Sequence, residues 1–168
     1  MTLCEGFPAL KQEETQHCTD VTAMFLGGNM ESRKNNAIEL HNKGYNCAQS
    51  VALTYVDLVD MEPAQLFKIT EGFGLGGGNM QGTCGAISGA LALVGLLNSS
   101  GDLENPATKA QTYGLNKEIL QNFQDRNGSV ICRELKGVNS GKVLRSCPDC
   151  IMDACEFFEN LYETKLKK

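Results

Sequence analysis

The sequence contains no hydrophobic run long enough to cross a membrane. Its longest apolar stretch, Ala90 to Leu97, falls far short of the ~20 residues that a transmembrane helix needs. The N-terminus also lacks a basic segment followed by an apolar core, so we expect neither a signal peptide nor membrane insertion. These absences predict a cytoplasmic protein, and in that compartment cysteines stay reduced unless they bind metal or perform redox chemistry.

Clustered positive charge is also missing. The 168 residues include 15 lysines and arginines against 20 aspartates and glutamates, a formal net charge of −5, and the one basic run is Lys165, Lys167 and Lys168. Contact with nucleic-acid phosphates needs a basic face, so we expect no nucleic-acid partner. The hydrophobic fraction of 42% and charged fraction of 21% exclude global disorder. The length fits one domain with a core of its own.

Cysteine is the residue that needs explaining, because the chain has eight. That number is too low for a disulfide scaffold, and a domain of this size folds without such cross-links. The two histidines and the carboxylates form no clear catalytic set, and Asp153 is interpreted as a solvated residue. Any chemistry is therefore expected to reside in the thiols.

Apolar spacing predicts an all-α domain of about six helices over residues 29–168, preceded by an irregular extension at residues 1–28. Helices are predicted at 29–43, after Asn46, at 63–70, at 83–97, at 106–126 and at 148–165, with a short turn at 132–135. The segment at 83–97 is apolar on nearly every side, which is typical of a buried central helix. Gly85 and Gly89 leave one of its faces bare. That face suits a close internal helix crossing, with a homodimer as the alternative.

A glycine-rich loop lies before this central helix. Its residues Gly72 to Gly77 match G-x-G-x-x-G, but a dinucleotide site needs a preceding strand and a later acidic residue, and the chain has no β-α-β rhythm. The loop is interpreted as a connector or, alternatively, as a source of N–H groups that face an anionic sulfur near Cys84.

Three cysteines are predicted at helix N-termini. Thr83 is expected to cap the central helix and to place Cys84 in its first turn. Cys47 follows the potential cap Asn46, and Cys147 precedes Pro148 at the start of the last helix. A helix N-terminus favours the thiolate, the form of cysteine that binds metal or attacks disulfides. Burial as ordinary core residues is the alternative.

The pattern of these cysteines resembles the C-GCAxxG-C-C family, small proteins described as redox-active and named for four cysteines. The matching segments are Gly44-Tyr45-Asn46-Cys47-Ala48-Gln49-Ser50-Val51, Gly76-Gly77-Gly78, Cys84-Gly85-Ala86-Ile87-Ser88-Gly89-Ala90, Cys132-Arg133-Glu134-Leu135 and Cys147-Pro148. The resemblance spans about Arg33 to Glu159, with one departure, since Thr83 stands where the family has glycine. It implies that Cys47, Cys84, Cys132 and Cys147 act together, and that Cys4 and Cys18 lie outside the site.

Split-Soret cytochromes are similar in cysteine pattern, but they also attach haem. Covalent haem needs C-x-x-C-H, whereas Cys150 is followed by Ile151, so haem is not expected. Four thiolates would suit an iron–sulfur cluster, either 2Fe–2S or 4Fe–4S. Electron transfer to a protein redox partner is then the expected function. Gly77, Gly78 and Gly85 would allow close backbone approach to the cluster, with Ser88 nearby.

Three alternatives to the cluster remain open. Cys147-Pro148-Asp149-Cys150 has the C-P-x-C form of a redox dithiol, so Cys147 and Cys150, or pairs among the four cysteines, could perform thiol–disulfide exchange. Structural zinc is a further alternative, although such sites usually have two C-x₂₋₄-C pairs and the chain has one. The last is a helical binding module without a cofactor.

Overall fold

Eight helices form the part of the chain that the computed structural model describes, residues 30–167, with side chains from Arg33 onward. They are α1 (Met30–Asn42), α2 (Cys47–Thr54), α3 (Pro63–Glu71), α4 (Gly74–Gly77), α5 (Gly85–Asn98), α6 (Lys109–Asn127), α7 (Cys132–Leu135) and α8 (Cys147–Leu161). A 3₁₀ turn, Val56–Leu58, follows α2, and a π turn, Tyr162–Leu166, extends α8. Six helices are eight residues or longer and residues 30–167 contain no strand, so the all-α prediction is confirmed. The predicted extension, with Cys4, His17 and Cys18, lies outside the described residues.

Helix α5 is the centre of the fold, as its apolar sequence predicted. It packs between α2, α6 and α8. The side chains of Ile87, Leu93 and Val94 are fully buried. In residues 30–167, every helix is too short or too polar to span a bilayer.

The bare glycine face of α5 is covered by α2 within the same chain. A Cβ atom on Gly89 would lie 2.5 Å from the carbonyl oxygen of Ala48, and one on Gly85 would lie 2.9 Å from that of Phe73. No real side chain tolerates the first distance, so glycine is required for this crossing. The internal-crossing interpretation of Gly85 and Gly89 is therefore correct.

Helix α8 packs one apolar face against the core, as its spacing predicted. The buried residues include Ile151, Ala154, Phe157, Phe158 and Leu161. The ring of Phe158 lies 4.7 Å from that of Tyr55, and the Tyr55 hydroxyl donates a 2.7 Å hydrogen bond to Glu159. This packing fixes the direction of α8 and thus the position of the cysteines at its start.

The start of α6 differs from the prediction. The helix begins at Lys109 instead of residue 106. Asp102 explains part of the difference, because its carboxylate accepts hydrogen bonds from the N–H groups of Glu104 and Asn105 and holds them in a turn. The other end of α6 is closed by Gly128 in the left-handed conformation, at φ 80°, so Asn127-Gly128 ends a helix and forms no hairpin.

Candidate functional site

Five cysteines line one cavity of about 300 Å³ in the described part of the chain. Four are those predicted together: Cys47, Cys84, Cys132 and Cys147. The fifth is Cys150. All of them are free thiols, as is Cys155, which is fully buried and does not line this cavity. The folded chain therefore brings together thiols that are up to 103 residues apart in sequence (150 − 47).

The cavity lies where four helices begin. Cys47, Cys132 and Cys147 are the first residues of α2, α7 and α8, and Cys84 is the residue immediately before α5. The helix-terminus positions predicted for Cys47 and Cys147 are observed, and Cys132 has one as well. The N-terminal ends of helices carry partial positive charge, so this arrangement favours thiolates.

Thr83 does not cap α5 as predicted. Its backbone pairs with Ile131 in an isolated β-bridge, so the chain is still extended there and Cys84 itself occupies the cap position. The N–H of Cys84 donates to the carbonyl of Val130 at 2.8 Å, and the N–H of Cys132 donates to Gly82 at 3.1 Å. These two hydrogen bonds hold the chain segment that precedes Cys84 beside the segment that precedes Cys132.

Asn46 caps α2, as predicted, and also anchors the neighbouring chain. Its side-chain oxygen accepts hydrogen bonds from the N–H groups of Ala48 and Gln49, both at 2.9 Å, and the Gln49 side chain accepts from the Asn46 N–H. This reciprocal arrangement is a capping box. The side-chain nitrogen Nδ2 of Asn46 donates a 3.0 Å hydrogen bond to the carbonyl of Glu71, which fixes the end of α3 next to Cys47.

The glycine-rich segment forms one left-handed turn. Successive φ angles of 53°, 59°, 76° and 90° are found at Leu75, Gly76, Gly77 and Gly78. A Cβ on Gly76 would lie 2.7 Å from that of Cys132, whereas one on Gly77 or Gly78 would meet no atom within 4 Å. The close approach of glycine backbone to a cysteine therefore occurs at Gly76. At Gly77 and Gly78 the positive φ angles explain why glycine is present.

Backbone hydrogen bonds close this turn. The N–H groups of Gly78, Met80 and Gly82 donate to the carbonyls of Gly74, Leu75 and Gly76 at 3.1 Å or less. The N–H groups that lower the pKa of Cys84 instead belong to Ala86 and Ile87 in the first turn of α5. Their effect is smaller than that of a hydrogen bond from Cys150.

Ser88 does not line the cysteine cavity. Its hydroxyl donates to the carbonyl of Cys84 in its own helix, at 3.2 Å. Its side chain borders a different, largely apolar cavity of about 510 Å³ between α3 and α5. Ser88 therefore contacts the backbone of Cys84, and its expected role near the thiols stays a prediction.

Cys47 and Cys147 form one contacting thiol pair. The thiol of Cys47 donates a hydrogen bond to the sulfur of Cys147, and this bond is the largest cause that lowers the pKa of Cys147 to about 5. Burial opposes the shift, while a hydrogen bond from the ammonium group of Lys136 adds to it. The same contact raises the pKa of Cys47. Cys147 is thus the thiolate of the pair, and both residues are partly accessible to solvent.

Cys84 and Cys150 form the second pair. Cys150 donates a hydrogen bond to the sulfur of Cys84, which lowers the pKa of Cys84 and raises that of Cys150. Both are buried, with 5% and 2% of their surfaces exposed. Cys132 belongs to neither pair, and burial raises its pKa.

Every ionisable side chain other than cysteine that lines this cavity is basic: His41, Lys136 and Arg145. The His41 ring nitrogen Nδ1 lies 3.0 Å from the Tyr45 carbonyl, and Arg145 donates to Asp153 at 2.9 and 3.1 Å. Asp153, which was interpreted as solvated, is only 4% exposed, because Arg126 also binds it. These basic side chains were not predicted at the site, although Lys136 stands four residues after Cys132.

A single metal ion has no ready site among the described residues. No three histidine, cysteine, aspartate or glutamate side chains in residues 33–167 are placed so that they could hold one ion. The cysteine side chains line the wall of a cavity. This geometry gives no support to the structural zinc alternative.

The comparison with family models agrees with the cysteine pattern. Residues 45–161 match the family described as "Putative redox-active protein (C_GCAxxG_C_C)". The chain belongs to this family. No curated protein matches the chain, and no solved structure does either. The matched range begins two residues before Cys47 and ends with α8, so it contains all five cysteines that line the cavity.

Proposed function

We propose that the protein transfers electrons through an iron–sulfur cluster held by Cys47, Cys84, Cys132 and Cys147. The observation that carries this proposal is the convergence of these four thiols, each at the start of a helix, on one cavity. The four thiolates would bind more than one iron of a cluster, so they would surround a volume and need not point at a single ion. When bound, the cluster would accept and release single electrons.

The residues around the cavity fit an anionic cofactor. Thiolates are the ligands that iron–sulfur clusters require, and two of the four already have lowered pKa values because of neighbouring thiols and N–H or ammonium groups. Lys136 would offset negative charge beside Cys147. Leu75, which is 45% exposed, lies at the solvent side of the cavity and would limit access of water.

Iron analysis tests this proposal. The protein would be purified without oxygen, reconstituted with ferrous iron and sulfide, and assayed for iron, acid-labile sulfide and visible absorbance. We expect iron and sulfide in equal amounts, and loss of both when Cys132 is replaced by alanine. Cys155→Ala is the matched control, because Cys155 is buried outside the cavity. A colourless, iron-free protein after reconstitution would contradict the proposal.

Thiol–disulfide exchange at Cys47 and Cys147 is the second candidate. Cys147 is partly exposed and its pKa is lowered to about 5. The sequence left open Cys147 with Cys150 or pairs among the four cysteines, and the hydrogen bond from Cys47 favours a pair among the four. The Cys147 thiolate would attack a small disulfide and release one thiol. Cys47 would then attack the Cys147 sulfur, form the internal disulfide and release the second thiol. Exchange activity that survives Cys150→Ser but not Cys47→Ser would support this candidate, and the reverse would exclude it.

A protein redox partner and a cytoplasmic location belong to the same proposal. The described cysteines are all free, which suits a reducing compartment. Electron exchange with another protein would take place at the partly exposed side of the cavity, near Cys147.

A further inference from the structure

Asp153 is a buried carboxylate that the proposed function does not use. Its side chain is 5% exposed, and it lies on α8, the helix that begins with Cys147. Two arginines bind it. Arg145 donates from Nε at 2.9 Å and from Nη2 at 3.1 Å, and Arg126, on α6, donates from Nη1 at 3.1 Å. A buried charge needs such partners, because water no longer solvates it.

The two arginines that bind Asp153 face different surroundings. Arg145 lines the cysteine cavity. Arg126 does not, and its guanidinium carbon lies 4.3 Å from the ring centre of Phe157, while its Nη2 binds Glu156 at 2.6 Å. Arg145 thus presents a positive charge to the cavity. Asp153, which does not line the cavity, carries the opposite charge and shares it with Arg126.

Arg145 is held in place by its backbone as well as by its side chain. The N–H groups of Leu144 and Arg145 both donate to the carbonyl of Leu135, at 2.9 and 3.2 Å. The third nitrogen of the guanidinium group, Nη1, lies 3.9 Å from the Asp149 carboxylate, which is beyond hydrogen-bond distance. Its N–H groups can therefore donate to a ligand in the cavity. Arginine stays protonated at any physiological pH, so this charge is permanent.

We propose that Arg145 is the fixed positive charge of the cysteine cavity and that Asp153 positions it. In the cluster-free protein, this charge attracts small anions to the thiols. In the loaded protein, it stabilises the added electron and raises the reduction potential of the cluster, and this second part rests on the proposed function. The chain as a whole has a net charge of −5, so the attraction is a local property of the cavity.

Two alkylating reagents that differ in charge test the first part. Iodoacetate is anionic and iodoacetamide is neutral, and both react with the thiolate, so the ratio of their rates does not depend on the thiolate fraction. The rates at Cys47 and Cys147, the partly accessible cysteines of the cavity, would be measured in reduced, metal-free protein by peptide mass spectrometry. In Arg145→Gln we expect the iodoacetate-to-iodoacetamide ratio to fall about two- to fourfold, the effect of one charge at about 5–8 Å in water.

Arg126→Gln is the matched control for this measurement. It removes the other arginine bound to Asp153 but leaves the lining of the cavity unchanged, so the ratio should stay close to the wild-type value. Arg145→Lys keeps a positive charge and should recover most of the ratio. An equal ratio in wild type and Arg145→Gln, or an equal fall in Arg126→Gln, would refute the role of Arg145. Without any variant, the ratio at Cys147 should be higher in the folded protein than in urea, and the opposite order would also refute it.

Nuclear magnetic resonance tests whether Asp153 positions Arg145. In isotope-labelled protein, the Nε–H of Arg145 should exchange with solvent more slowly than that of Arg126, whose bonds to carboxylates use Nη1 and Nη2. Asp153→Asn should speed the exchange at Arg145, and in that background Arg145→Gln should change the alkylation ratio less. Exchange in wild type that is as fast at Arg145 as at Arg126, or an undiminished effect of Arg145→Gln, would refute the positioning role.

Reduction potentials separate this inference from the proposed function. After reconstitution with iron and sulfide, the midpoint potential should be lower in Arg145→Gln than in wild type and nearly unchanged in Arg126→Gln. A potential that does not fall, while the alkylation ratio does, would refute only the effect on the cluster. If the wild type takes up no iron, the proposed function and this second part fail together, and the alkylation ratio still decides whether Arg145 is the fixed charge of the cavity.

Discussion

The N–H of Cys132 donates a 3.1 Å hydrogen bond to the carbonyl of Gly82, two residues before Cys84. This bond, together with that from Cys84 to Val130, places two cysteines that are 48 residues apart (132 − 84) at the edge of one cavity. The left-handed turn at Gly76 packs directly on Cys132. The cavity therefore depends on backbone pairing and on a glycine turn as much as on the helices that carry the thiols.

Gly76→Ala should destabilise the protein more than Gly77→Ala. Both positions have positive φ angles, 59° and 76°, so alanine carries backbone strain of about 1–2 kcal/mol at either. Only at Gly76 would the new Cβ also clash, 2.7 Å from that of Cys132, which adds about 1–3 kcal/mol for overpacking. Urea unfolding of the cluster-free protein measures the difference. Equal losses in the two variants would show that Gly76 is not in contact with Cys132.

Gly89→Ala and Gly95→Ala, both in α5, should change stability in opposite directions. At Gly89 the methyl group would lie 2.5 Å from the Ala48 carbonyl and force α2 away, so we expect a loss of about 1–3 kcal/mol. At Gly95 it would meet nothing within 4 Å, so the higher helix propensity of alanine should add up to about 1 kcal/mol. Thermal unfolding followed by circular dichroism distinguishes the two. A stable Gly89→Ala protein would contradict the close crossing.

The six longer helices were predictable from sequence because of strong local signals, whereas the short helix α4 was predicted as a loop. Asn46 with Gln49 makes a capping box, Pro63 begins α3, and the apolar spacing of α8 marks its buried face. The four family cysteines were likewise predicted together, since the resemblance names them. The cavity contains all four, although spacing along the chain gave no reason to place them side by side.

The pairing of the thiols was not predictable from sequence. The C-P-x-C motif favoured Cys147 with Cys150, whereas Cys47 lowers the pKa of Cys147 most and Cys150 lowers that of Cys84 most. Threonine is a residue type that commonly caps helices, yet Thr83 pairs with Ile131 and the cap position falls one residue later, at Cys84. In both cases a contact distant in sequence overrides the local pattern.

Lys136→Met should raise the pKa of Cys147 above its value of about 5. The ammonium group of Lys136 stabilises the Cys147 thiolate by a hydrogen bond and by its charge, so its removal leaves less thiolate at mildly acidic pH. Cys47→Ala should raise the pKa further, because the hydrogen bond from Cys47 is the largest cause of the shift. The measurement is the rate of Cys147 alkylation by iodoacetamide against pH in metal-free protein. The exposed Lys117→Met is the control, and a profile equal to the control's would exclude the contact with Lys136.

Glu159→Gln should make stability less dependent on pH between about 4 and 8. Burial raises the pKa of Glu159, although the hydrogen bond from Tyr55 opposes this effect. The folded state therefore holds the proton to higher pH than the unfolded state does, and the contribution of Glu159 is fully present below its unfolded pKa and lost as pH rises through its folded pKa. Glutamine keeps an acceptor for Tyr55 without the titration. We expect the stability of the wild type to fall relative to Glu159→Gln as pH rises, whereas the exposed Glu104→Gln should follow the wild type. Chemical unfolding at pH 4, 6 and 8 measures this, and a constant difference between wild type and Glu159→Gln across that range would show that Glu159 does not titrate there.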